Sequence, residues 1–419
     1  MENPSNLPWF KRLHWQIFAA MLAGTIAGLI GGPELVPKVG WLGEIFIRLL
    51  KMMIVPLVLT SIVSGVASIG GGRDVGRLFG KTLGYYILTS GLAALTGLLL
   101  VNLIQPGVGA TIAGAETAEL PELSTATSPK ELLLDIVPEN VIAAAAAGKM
   151  LAIIFFCIVL GMTIGGLPEQ QRSILTGFFD AAFHAMMRLT GGIIKFAPIG
   201  VFGLIVRVVG PTGFDSFKAL GLYMLTIASG LVIHLFVTLP LVLILLGRIR
   251  PWIHFRNMIE PMVMAFSTSS SAATLPVTLN AVEKKVGVSN KVSSFVLPMG
   301  STVNMDGTAL YECAGVLFIA QVLGFELSLM AQVVVVLTAL LASIGAAAVP
   351  SAGLVIIFLV LEAVGLRGPE VDAIVGAMFA IDRPLDMGRT VVNIFSDSCG
   401  AAIIARSEGE ESVDTEIVE

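Results

Sequence analysis

Six stretches of at least 21 residues carry no Asp, Glu, Lys or Arg: residues 13–33, 52–72, 82–115, 219–247, 261–282 and 327–361. A helix needs about 20 apolar residues to cross the hydrocarbon of a bilayer. Several runs meet that length, so the sequence reads as an all-α polytopic membrane protein. Porin-type barrels show alternating segments of about ten residues, and none is present. The first run is too long for a signal peptide, and no small-residue cleavage site with a soluble domain follows it. Only 13% of the 419 residues are charged, against about 25% in a soluble globular chain. That excludes a soluble enzyme, and also a nucleic-acid partner, which would need a basic stripe. Cys157, Cys313 and Cys399 give neither metal spacing nor a disulfide framework, and the four histidines are scattered. No cofactor is expected.

The runs predict spans at 14–32, 42–69, 79–105, 141–167, 182–209 and 218–246. Lys/Arg bias in short loops marks the cytoplasmic side. Lys11 and Arg12, then Arg73, Arg77 and Lys81, then Arg248, Arg250 and Arg256 all fall on one face if every span crosses. Both termini are therefore expected in the cytoplasm, and the acidic 106–139 stretch outside. The tail, 408–419, reads as acidic and solvated.

Two later segments look like interrupted helices. Hairpin 1, 252–287, holds a run of small hydroxyls from Ser267 to Ser271 and then Pro276. Hairpin 2, 329–363, holds Ser343 to Gly353, rich in Gly and Ala with Pro350. Such residues weaken a helix. Each segment suits a hairpin that enters and leaves by one face, although small residues also serve as close-packing patches between ordinary helices. Between and after them lie spans 289–321 and 369–407. Paired broken segments in corresponding positions point to inverted repeats around a midplane site.

The charges left inside the apolar spans are informative. An ionisable group at mid-membrane costs roughly 3 kcal/mol. Asp306, Glu312, Asp382, Arg383, Asp386, Arg389 and Asp397 would together cost about 20 kcal/mol, beyond the usual 5–15 kcal/mol of folding stability. They must be compensated, hydrated or ligand-bound. With about 100° per residue and Asp386 at zero, Asp382, Arg389, Thr390, Asn393 and Asp397 fall within an arc of about 100°. A polar stripe therefore runs down one side of the last helix, with Arg383 at its edge. A structural salt-bridge ladder would look similar. Asn304-Met305-Asp306-Gly307-Thr308 combines poor helix formers, and an unwound turn there would free carbonyls beside a carboxylate. Oxygen-rich surroundings of that kind suit a hard cation; a kink with a buried Asp is the other reading.

Taken together, Ser269-Ser270-Ser271, Asn304 to Thr308, the small-residue loop 343–353 and Asp386-Met387-Gly388-Arg389-Thr390-Val391-Val392-Asn393 resemble the dicarboxylate/amino acid:cation symporters, the glutamate transporter family. The resemblance covers nearly the whole chain. It implies eight transmembrane helices plus two re-entrant hairpins, assembled as a homotrimer in the cell membrane. Residues 1–78 and 106–217 would form a scaffold, and 79–105 with 218–407 a transport domain that slides across the bilayer. Arg389 would hold a side-chain carboxylate and Asp386 an ammonium, with Ser271, Thr308, Thr390 and Asn393 as further substrate contacts. Val349 and Gly353 would line the gate. The resemblance also implies three Na⁺ sets: Asp397, Asn393, Asn304 and Gly300; Asp306, Asn304, Tyr86, Thr89 and Ser90; and Thr302, Ser343, Ile344 and Ala346.

The implied activity is Na⁺-coupled uptake of glutamate or aspartate. C4-dicarboxylate transport, neutral amino acid transport and anion conduction stand as alternatives. Glu312 occupies a position tied in animal relatives to H⁺ symport and K⁺ countertransport, and a buried carboxyl can also be structural. Two departures stand out. Relatives carry a second arginine where this chain has Ser269 or Met387, leaving Arg383 as the only nearby replacement. The gate loop is also alanine-rich where glycine is common.

Overall fold

The computed structural model describes residues 13–67, 73–110, 134, 136–147, 149–212, 215–344, 352–411 and 413–414. Ala346, Val349 and most of the 343–353 loop lie outside these residues, as does most of the acidic 106–139 stretch. The described elements are helical, with no strand among them.

α1 (Leu13–Ala67) runs through both of the first two expected spans. At 1.5 Å per residue such a helix is about 80 Å long, far beyond a hydrocarbon core of about 30 Å. Gly32, with φ 54° and ψ −154°, breaks it into two arms. The charged 33–41 segment, expected as a loop, is helical. Its Pro33 sits at the start of the second arm, where a missing N–H costs nothing. α2 (Arg73–Ile104) follows as one helix.

The next region corrects two boundaries. The expected fourth span is split into α3 (Val141–Ala146) and α4 (Met150–Gly165). Asn140 caps α3 by accepting from the N–H groups of Ile142 and Ala143, which fixes its start. The expected fifth span begins earlier, as α5 (Glu169–Ile194), and bends by 55° into α6 (Ala197–Thr212). Its polar first turns hid this start from a hydropathy reading. α7 (Asp215–Ile233) extends through π-helical turns at His234–Thr238 and Leu243–Gly247.

Hairpin 1 consists of α8 (Pro251–Thr268) and α9 (Ser271–Ala281), turning at Ser269 in the left-handed region with φ 50°. α10 (Asn290–Val303) and α11 (Asp306–Val322) share one expected span and are separated by Asn304 and Met305. α12 (Leu329–Ile344) and α13 (Ala352–Ala363) flank the small-residue loop. α14 (Pro369–Ser407) carries the polar stripe. Among the described residues, three helical elements, Trp15–Ala67, Arg77–Ile104 and Lys218–Gly247, are long and apolar enough to cross a membrane, and the bent α5–α6 pair makes a fourth.

α11 is the centre of the molecule: every residue from Asp306 to Ala320 is buried. It packs on α2, α7, α12, α13 and α14, whereas α1 packs mainly on α4, α5 and α6. The tail departs from expectation. Val413 and Asp414 are buried, because folded partners supply the hydrogen bonds that water would otherwise give.

Candidate functional site

The break between α10 and α11 is a consequence of sequence. Asn304 and Met305 leave helical geometry (φ −98°, ψ 87° and φ −117°, ψ 62°). One helix C-terminus and one helix N-terminus then meet inside the core, with unpaired carbonyls on one side and N–H groups on the other. One of those N–H groups, from Gly307, donates to Asn393 Oδ1 at 2.8 Å. The break is thereby joined to the α14 stripe.

Two carboxylates flank it. Asp306, fully buried, accepts from Ser90 Oγ at 2.7 Å and Thr89 Oγ1 at 3.2 Å on one oxygen. Its other oxygen lies 3.1 Å from His234 Nε2. Asp397 accepts from Asn304 Nδ2 at 3.0 Å, and the same amide reaches Ser396 Oγ at 3.0 Å. Of the residues implied for cation binding, Thr89, Ser90, Asn304, Asp306 and Asp397 therefore converge. Gly300 also faces Asp397 and the Tyr86 hydroxyl: a Cβ there would meet Asp397 Oδ1 at 2.5 Å. The Tyr86 hydroxyl itself donates to the Val296 carbonyl at 2.8 Å. Hydroxyls can present either a proton or a lone pair. Ser90 and Thr89 can thus turn from donor to ligand by rotation alone.

The third implied set is less gathered. Thr302 donates to Met299 O and Ser343 to Leu340 O, each within its own helix. Ile344 ends α12. Thr302 also lines a cavity of about 370 Å³ with Ser64, Leu83 and Leu341.

The second cluster lies on α14 and faces α11 and α13. Arg389 is 1% exposed. Its Nη2 donates to Asp382 Oδ1 at 2.8 Å and Asp386 Oδ1 at 3.0 Å. Its guanidinium lies over the Tyr311 ring, 3.9 Å from the centroid, a favourable cation–π geometry. Nε and Nη1 have no hydrogen-bond partner among the described residues. A buried donor left unmade costs about 1–3 kcal/mol, which a carboxylate accepting from Nη1 would recover. Gly353 packs directly on this group. Arg383, expected at the stripe's edge, reaches Asp386 Oδ2 at 3.4 Å. Asp386 is thus bracketed by two arginines.

Thr308, Thr390 and Asn393 are buried beside this cluster. Thr390 donates to the Asp386 carbonyl at 2.8 Å. Ser271 is buried at the start of α9. Glu312, one turn from Thr308, is fully buried with neither carboxyl oxygen hydrogen-bonded among the described residues.

Three residues here have partners that the sequence does not assign to them. His234 was passed over as one of four scattered histidines. Asp382 was seen in the stripe but not as Arg389's partner, and Tyr311 was not seen as its platform. A signal existed for the histidine: it sits inside the charge-free run 219–247, where any titratable group needs a partner.

A family model described as the sodium:dicarboxylate symporter family matches residues 13–407. A proton/sodium-glutamate symport protein of Bacillus caldotenax is 34% identical over 406 residues, covering 95% of each chain. An excitatory amino acid transporter of Caenorhabditis elegans is 35% identical, covering 93% of this chain and 85% of its own. The proton/glutamate-aspartate symporter of Escherichia coli (strain K12) is 32% identical, covering 94% and 93%. With the match running from Leu13 to Ser407, this chain belongs to the sodium:dicarboxylate symporter family.

Proposed function

We propose that this symporter takes up glutamate or aspartate with Na⁺ as coupling ion. The observation that carries the reading is Arg389: a buried guanidinium beside Gly353 whose Nε and Nη1 have no hydrogen-bond partner among the described residues. A planar fork matches a carboxylate in two parallel hydrogen bonds. A neutral side chain would leave those donors unmade. Asp386 separates an amino acid from a plain dicarboxylate. Its positive partners in the structure are arginines, and a substrate ammonium can take the place of Arg383. The printed names of the relatives, glutamate and glutamate-aspartate symporters, support the same class.

Na⁺ enters at Asp397 with Asn304, Asn393 and the Gly300 carbonyl, and at Asp306 with Thr89, Ser90 and Asn304. Thr302, Ser343, Ile344 and Ala346 are proposed for a third ion. Each net charge carried inward gains about 2.3 kcal/mol per 100 mV. Glu312, with no hydrogen-bond partner of its own among the described residues, is the proposed carrier of a coupled proton. Residues 1–78 and 106–217 act as scaffold of a homotrimer in the cell membrane, and 79–105 with 218–407 move as an elevator.

The test is uptake of labelled glutamate and aspartate into proteoliposomes, with Na⁺, H⁺ and K⁺ gradients imposed separately. Accumulation of either that depends on the Na⁺ gradient is expected; failure of both, or equal uptake without Na⁺, refutes the reading. Arg389→Lys should lose uptake by about 10- to 100-fold, since a point charge cannot fork or stack.

A further inference from the structure

The residues after α14 carry contacts that the transport site does not explain. Glu408 is held by Lys81 Nζ at 2.5 Å and Arg77 Nη2 at 2.7 Å, both on α2. Glu410 accepts from the Ser289 hydroxyl at 2.5 Å and the Ser289 N–H at 2.8 Å, at the entry to α10. Arg406 donates to the carbonyls of Glu411 at 2.9 Å and Val413 at 3.2 Å, curling the segment back. The Asp414 N–H then donates to the Val286 carbonyl at 2.7 Å.

Asp414 ends the run inside the protein. Its Oδ1 accepts from Asn257 Nδ2 at 2.9 Å and its Oδ2 lies 2.7 Å from His254 Nδ1. The same Asn257 amide donates to the Lys285 carbonyl at 3.1 Å. His254 is fully buried and places Nε2 2.9 Å from Ser398 Oγ, and Ser398 donates onward to the Phe395 carbonyl at 2.7 Å. Asp414, His254 and Ser398 thus have the order of a hydrolase triad, which the sequence did not show. They are sealed from solvent and the serine is spent on a helix carbonyl, so there is no exposed nucleophile.

The partners fall on both arms of hairpin 1. His254 and Asn257 belong to α8, Lys285 and Val286 to the end of the returning arm. We propose that residues 408–411 with 413 and 414 are a built-in strap across the open end of hairpin 1. It joins the two arms to each other and ties them to α14, one residue from Asp397, and to α2. The hairpin then moves with the site helix rather than parting from it. Val413, with no exposed surface, seats the strap, and the acidic residues latch it to fixed donors.

The test uses the full-length protein and two truncations. Ending the chain after Ser407 removes the strap; ending it after Asp414 keeps it. Glu410→Ala and Asp414→Asn are the point variants, the first on a partly exposed side chain outside the core. Backbone hydrogen exchange across 254–289 should quicken about tenfold or more on removal after Ser407 and in Asp414→Asn. It should quicken less in Glu410→Ala and stay unchanged on truncation after Asp414. In loaded proteoliposomes, solute leak relative to exchange should rise with the same ranking. Unchanged exchange across 254–289 after removal of 408–419 overturns the proposal. So does a uniform rise over the whole chain, which would make the segment general packing. The exchange measurement needs no substrate, so it stands apart from the proposed choice of solute; only the leak measurement rests on it.

Discussion

Gly353 is the residue on which the proposed carboxylate site can be tested most sharply. It is the second residue of α13 and lies against Arg389. A Cβ added there would overlap Arg389 Nη1 and stand 3.2 Å from Cζ and 3.5 Å from Tyr311 Cδ1. Carbon pairs sit comfortably at about 3.5–4.0 Å. A free arginine tip would move aside. This one is fixed by Asp382 at 2.8 Å, Asp386 at 3.0 Å and the Tyr311 ring beneath it. Overpacking of this kind costs about 1–3 kcal/mol, and here it falls on the fork that meets the substrate. That corresponds to a factor of about 5–150. In a helix, alanine is favoured over glycine by about 0.5–1 kcal/mol, so Gly353→Ala has no reason to unfold the chain. The expected result is a KM for glutamate or aspartate raised by a factor in that range, with Tm within a few degrees of the parent. Uptake against substrate concentration, beside a thermal melt in detergent, reads both. A parental KM would refute the placement of the Arg389 fork against α13 and the carboxylate site built on it.

Two further predictions concern carboxylates outside the Arg389 cluster. Asp397→Asn should shift Na⁺ activation of uptake to higher concentration while the substrate cluster on α14 keeps its own contacts; unchanged Na⁺ dependence would remove Asp397 from the cation set. Glu408 is held below the usual carboxylate range, first by the Lys81 hydrogen bond and then by Arg77. A depressed folded-state value contributes stability above the ordinary Glu value, near 4.5, and loses it as pH falls through the folded value. Glu408→Gln should therefore destabilise the protein at neutral pH by under about 1 kcal/mol, for so open a pair, and lower Tm slightly. Below the folded-state value the two proteins should converge, and a gap that persists there would refute the linkage.

The parts of the site legible in sequence were those where a charge interrupts an apolar run. Asp306, Asp386, Arg389 and Asp397 had to find partners inside the protein, and the angular arithmetic along α14 put its members on one face. Charge scarcity did not extend to histidine, which counts as neutral, so His234 and His254 were missed although each meets an aspartate. The inverse error hid the tail. Glu408, Glu410 and Asp414 read as solvated because charged ends usually are, and their partners lie 121 to 331 residues away in sequence. The same bias made a loop of 33–41, where Glu34 and Lys38 ride on a helix, and delayed the start of α5. Hydropathy locates spans well, but a helix end is set by caps and breaks, as at Asn140 and Gly32.

A carrier also needs a boundary that can be broken and remade in every cycle. If α1 and α4–α6 are one body and α2 with α7–α14 another, their contacts should be cheap to exchange. Lys51 of α1 pairs with Asp372 of α14 at 2.6 Å, both partly exposed, and lies 4.8 Å from the Phe358 ring centroid of α13. A partly exposed ion pair is worth about 0–1 kcal/mol and an exposed cation–π contact about 0.5–1 kcal/mol. Arg367 adds one hydrogen bond to the Ala147 carbonyl at 3.3 Å. The apolar contacts across the boundary, such as Phe46 edge-on to Phe379 at 5.2 Å, need not oppose sliding. Lipid chains are as apolar as the surfaces they would cover, so no hydrophobic cost is incurred on parting. The strong networks behave differently. Arg389 with its aspartates and Asp306 with Thr89, Ser90 and His234 lie wholly within α2 and α7–α14. Moving that body as a unit leaves each buried charge with its partners, whereas opening it would strand charges at several kcal/mol each. The distribution of charge thus favours rigid translation over internal rearrangement.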